Sequence, residues 1–115
     1  MQGRRESRNE LMSYLDVIDP ISTQIIGYLG DISTEGMMML TENPFNMHSL
    51  CELTLRMPQQ AGFTKQWITV KVEVRWIHEN TFNPQLRRVG FQFIHVNPED
   101  IPFLKQLVDF LAQNT

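Results

Sequence analysis

The chain has 115 residues, 42% hydrophobic and 20% charged, with a formal net charge of −3, the composition of one ordinary globular domain large enough for a core. That charge argues against DNA or RNA binding over the whole surface, and no apolar run nears the roughly 20 residues that cross a bilayer. The polar start lacks the apolar segment of a signal peptide, so a cytoplasmic protein without membrane insertion is expected.

Along the chain, residues 1–10 carry no apolar side chain after Met1 and are expected to be a mobile arm unless something binds them. The single domain is expected over 11–115. Strands are predicted at about Leu11 to Ile18, Gln24 to Ile32 and Met37 to Thr41, separated by Asp19-Pro20 and the Ser33 to Gly36 turn. Cys51, Leu53, Leu55 and Met57 alternate with Glu52, Thr54 and Arg56, the period of a half-buried strand. Ile68, Val70, Val72, Val74 and Trp76 repeat that pattern against Thr69, Lys71, Glu73 and Arg75, so Trp76 is expected in the core. Trp67 is left to core or interface. Val89, Phe91 and Phe93 form the last strand, after the turn-prone Asn80-Thr81-Phe82-Asn83-Pro84.

Only the tail has helical spacing, with Ile101, Leu104, Leu107, Val108 and Leu111 on one side. Asn97-Pro98-Glu99-Asp100 supplies a capping residue and early acids. Pro102 puts the start near Asp100, since a proline deeper in a helix removes a hydrogen bond; the helix is predicted at about 100–113. Six short antiparallel strands and one C-terminal helix make a mainly β protein, and a small barrel suits it because closure removes sheet edges.

Two runs carry chemistry. Arg4, Arg5 and Arg8 form a cationic arm, followed by no Lys or Arg until Arg56, while acidic residues accumulate. A forked guanidinium suits a phosphate and also stacks on a purine. Asp31-Ile32-Ser33-Thr34-Glu35-Gly36 reads first as a strand-ending turn, with Asp and Ser bonding locally and Gly supplying conformational freedom. The same Asp offers an acceptor for the edge of a guanine. Set 23 residues apart, from Arg8 to Asp31, the runs look like two halves of one nucleotide site.

With an RxxxR motif (Arg4 to Arg8) and a D/N-x-S-x-x-G motif (Asp31, Ser33, Gly36), the chain resembles the PilZ domain family, bacterial receptors for the second messenger cyclic di-GMP. Val89-Gly90-Phe91-Gln92-Phe93 and Asn97-Pro98-Glu99-Asp100 resemble the family's closing strand and the entry to its last helix. The resemblance implies a six-stranded PilZ-type β-barrel whose arginine arm folds over its mouth. It implies that Arg4 and Arg8 bind phosphates and guanine with Arg5 assisting, that Asp31 and Ser33 contact guanine, and that Gly36 shapes the turn. The chain departs from many members at Met37, where a second small residue commonly follows the glycine. The run Met37-Met38-Met39 suits either strand packing or a soft contact surface.

Other chemistry finds little support. His48, His78 and His95 lack the spacing of zinc ligands, and Cys51 alternates with core residues as a buried, inert thiol does. No nucleophile elbow, phosphate loop or dinucleotide fingerprint occurs, so neither an enzyme nor a cofactor is expected. Single-strand nucleic-acid binding would need basic and aromatic residues interleaved along a groove, and the acidic stretch from Asn9 to Leu55, which has no Lys or Arg, speaks against it. The expected function is a cyclic di-GMP receptor or adaptor acting in motility or biofilm regulation. Ligand would order the arm and alter the surface shown to an unidentified effector protein, because no output domain accompanies the barrel. The alternative is a PilZ-like protein-interaction adaptor that needs no nucleotide. Monomer and dimer both stay open, as do one and two ligands per site.

Overall fold

The computed structural model describes residues 15–59 and 62–113. The arm, with Arg4, Arg5 and Arg8, and the first part of the strand expected from Leu11 lie outside them. Among the described residues the strands are β1 (Leu15–Ile18), β2 (Ile25–Ile32), β3 (Gly36–Thr41), β4 (Leu50–Arg56), β5 (Trp67–Glu79) and β6 (Arg87–Val96). A 3-10 turn at Pro98–Asp100 leads into helix α1 (Ile101–Gln113). All neighbours are antiparallel, and the sheet closes in the order β1-β2-β3-β6-β5-β4. This is the predicted six-stranded barrel with one terminal helix.

Alternation fills the interior. From β5 come Ile68, Val70, Val72 and Val74, from β4 Leu53 and Leu55, and from β2 and β3 Leu29, Met37 and Met39, all buried. Helix α1 adds Leu104, Leu107 and Leu111 from one face to the same core, so burial along a helical stripe holds the helix to the barrel. The one buried hydroxyl inside β3, Thr41, donates to the Ile26 carbonyl at 2.6 Å and accepts from the Asn43 amide at 3.0 Å, as a buried polar group must.

The regular pairing breaks at residues left without a cross-strand partner. Gly30 is skipped between Leu29 and Asp31 in β2, Arg75 between Val74 and Trp76 in β5, and Ile94 between Phe93 and His95 in β6. Each is a β-bulge, and each reverses the inward–outward parity of the strand residues beyond it.

Two expectations need correction here. Trp76 is not a core residue: the bulge at Arg75 turns it outward, and it is 38% exposed. Asn97 makes no side-chain cap. The expected early acids, Glu99 and Asp100, stand in the first turn, and Asp100 is buried. Its carboxylate instead accepts a hydrogen bond from Lys65 Nζ, which ties the β4–β5 loop to the start of the helix. Phe63 of that loop meets Phe110 of α1 edge-on, with ring centroids 5.9 Å apart. Cys51 is half-buried rather than fully enclosed.

Candidate functional site

The β2–β3 hairpin carries the Asp31–Gly36 motif. Ser33 N–H donates to the Gly36 carbonyl at 2.9 Å, and Ser33 Oγ accepts from the amides of Glu35 at 3.1 Å and Gly36 at 3.3 Å. The serine therefore shapes the turn, as the plainer reading of the run expects. Phe93 N–H donates to the Glu35 carbonyl at 2.9 Å, fastening the turn to β6. Gly36 lies against that strand so closely that a Cβ would sit 2.2 Å from the Phe91 carbonyl oxygen. No side chain fits there without moving backbone.

Asp31 reaches the outer face through the bulge. Leu29 points inward, so simple alternation would aim Asp31 inward as well. Skipping Gly30 pairs Asp31 with Met38 and turns both outward, while Ile32 pairs with the buried Met37. Met37, the departure from the family pattern, thus points its side chain into the core, and Met38 faces the site. The methionine run divides between the two roles weighed for it. Asp31 Oδ1 accepts the Ile32 amide at 2.9 Å, which leaves its other oxygen open to a ligand.

Across the sheet, Asp31 pairs with Met38, Met38 with Gly90, and Gly90 with Trp76. One outward row crosses four strands, about 14 Å from end to end at ordinary strand spacing. The Trp76 ring lies over Gly90, where a Cβ would meet its Nε1 and Cε2 at 2.1 Å. His78 packs beside it with centroids 4.7 Å apart and the ring planes tilted by 40°. Above the row opens a cavity of about 490 Å³, lined by Asp31, Ser33, Glu35, Gly36, Met38, Arg75, Trp76 and Gln92 among others. That volume is within the roughly 300–1,000 Å³ of small-molecule sites. Asp31, Ser33 and Gly36 are thus brought together on one cavity; Arg4, Arg5 and Arg8 lie outside the described residues.

Sequence reading missed three residues of this wall: Trp76, Arg75 and Gln92. Period-two alternation assigns Trp76 to the inner face and Arg75 to the outer, and nothing local in Val74-Arg75-Trp76 announces the bulge. The signal that existed was Gly90, a glycine inside a strand, which often marks close approach by another group. Among the described residues no three His, Cys, Asp or Glu side chains converge as metal ligands, and no helix is long and apolar enough to cross a membrane.

The PilZ domain model matches residues 2–113. No curated protein matches the chain in sequence. Among solved structures, the Bacillus subtilis inhibitor of motility (MotI/DgrA) superposes with a TM-score of 0.67 at 19% identity over 87% of this chain and 46% of its own. This chain therefore spans less than half the length of that protein. The PilZ domain with c-di-GMP of YcgR from Escherichia coli superposes with a TM-score of 0.62 at 18% identity, covering 87% of this chain and 82% of its own.

Proposed function

This chain belongs to the PilZ domain family, and from that premise we propose that it is a cytoplasmic receptor for cyclic di-GMP that acts by binding, not catalysis, and hands the signal to another protein. The observation that carries this reading is the convergence of Asp31, Ser33 and Gly36 on one open cavity with an indole at its far end. The fold shared with a YcgR domain solved with c-di-GMP supports it.

Each group has a task its chemistry suits. The Asp31 carboxylate accepts the two N–H groups on a guanine edge. Gly36 keeps the turn tight on β6, so that the base can approach backbone. The Trp76 ring offers a stacking surface, and base–aromatic stacking is worth about 1–3 kcal/mol per base in single-strand nucleic-acid sites. Arg4 and Arg8, with Arg5 assisting, take the phosphates and the exposed guanine face. A ligand held by both arm and barrel favours the state in which the two are together, which changes the surface an effector meets.

Calorimetric titration with cyclic di-GMP tests the assignment. Asp31→Ala and Arg8→Ala each remove one charge-assisted contact, worth roughly 1.5–3 kcal/mol, and weaken binding about ten- to a hundred-fold. Unchanged affinity in both variants removes the site assignment. A wild-type chain that binds none makes the nucleotide-independent adaptor the better reading. The same curve gives the stoichiometry, and GTP serves as the specificity control.

A further inference from the structure

Arg75 is a cation that the barrel itself places in the cavity. It is the unpaired residue of the β5 bulge, free of the ladder that orients its neighbours. Its Nη1 donates to Gln92 Oε1 on β6, and Gln92 pairs directly with Gly36. The guanidinium is therefore carried over β6 toward the motif turn. Its anchor is a neutral amide, which holds the positive charge in place without itself cancelling it. Glu73, the closest carboxylate along β5, is directed elsewhere, to His48 Nδ1 at 3.4 Å. Among the described residues no carboxylate forms a salt bridge with Arg75. One N–H is used by Gln92, and among the described residues the others of this five-donor fork have no further hydrogen-bond partner.

We infer that Arg75 is a ligand-gripping residue, holding a phosphate of the bound dinucleotide against the barrel wall, and that Gln92 is its positioning residue. The inference rests on the receptor reading above and extends it, since the phosphates are then gripped by the barrel as well as by the arm. Asp31 accepts base N–H groups at one end of the row, and Arg75, held to Gln92 on β6, supplies positive charge on the same wall. A ligand with a base edge and a phosphodiester matches that polarity.

The test is cyclic di-GMP titration of the full chain carrying Arg75→Gln, Arg75→Lys, Gln92→Leu or Asp31→Ala, with circular dichroism confirming the fold. Arg75→Gln is expected to weaken binding about tenfold or more, the scale of one lost charge-assisted contact. Arg75→Lys recovers part of the loss, because a point charge remains without the fork. Gln92→Leu gives a smaller loss that raised salt enlarges, since an unanchored guanidinium acts only through screened attraction. Wild-type affinity in Arg75→Gln alongside a large loss in Asp31→Ala overturns this inference and leaves the receptor reading standing. Wild-type affinity in both removes this inference together with the site assignment, and no binding by the unaltered chain overturns the receptor reading itself.

Discussion

Gly90 decides where the indole of Trp76 lies, because the ring occupies the volume a Cβ would fill. Gly90→Ala is expected to push the ring off the sheet, and because Trp76 is 38% exposed it has room to swing away. Stability then falls by about 1–3 kcal/mol at most, as for overpacking elsewhere, while cyclic di-GMP affinity drops with loss of the platform; urea unfolding and titration measure the two separately. Cys51 behaves differently. Burial, and secondarily the Asp19 carboxylate, push its thiol above the ordinary value of 9.0. The folded chain then keeps this proton to higher pH than the unfolded chain, so the contribution to stability is present below pH 9.0 and is lost as pH rises from there through the folded value. Iodoacetamide at pH 8 should modify Cys51 more slowly in native protein than in urea, and equal rates would contradict this. Asp31, Ser33 and Gly36 were legible in the sequence because turn chemistry acts over a few bonds. Trp76 was not, since its exposure depends on a partner strand far along the chain.

The helix entry shows how an element is held by residues distant in sequence. Asn97-Pro98-Glu99-Asp100 predicts a capped start, and α1 does begin within a residue of the expected position. What holds that start is Lys65 on the buried Asp100 carboxylate, together with Phe63 on Phe110. Lys65→Ala leaves a carboxylate with a 4% exposed side chain without its cation. The expected loss is about 1 kcal/mol, the low end for an unsatisfied buried group, because the Lys65 side chain is 42% exposed and its pair is partly screened. Adding Asp100→Asn should recover part of it by removing the buried charge, and a urea midpoint that ignores both changes would refute the latch. Among the strands, Gly30 was a visible sign of a bulge in β2, as an isolated strand glycine often is. Arg75 in β5 offered no such sign, because it continues the alternation of its neighbours without a break.

For the molecule as a whole, a ligand that binds only the folded barrel must raise its stability by mass action. Cyclic di-GMP at a hundred times its dissociation constant is expected to add about 2.7 kcal/mol, roughly 10 °C in Tm for a domain of this size. Differential scanning fluorimetry checks this against GTP, which should leave Tm where it was. By itself the sequence determined the strand count, the terminal helix and the closed architecture, because period-two and helical burial patterns are local and redundant over many residues. It also determined the motif turn, whose hydrogen bonds close within Ser33–Gly36. Only the tertiary structure decided which face Asp31 and Trp76 present, because the bulges at Gly30 and Arg75 reverse parity through pairing with other strands. It alone brought Arg75 onto Gln92 beside Gly36, since β3, distant in sequence from the β5–β6 pair, joins it only in the assembled barrel.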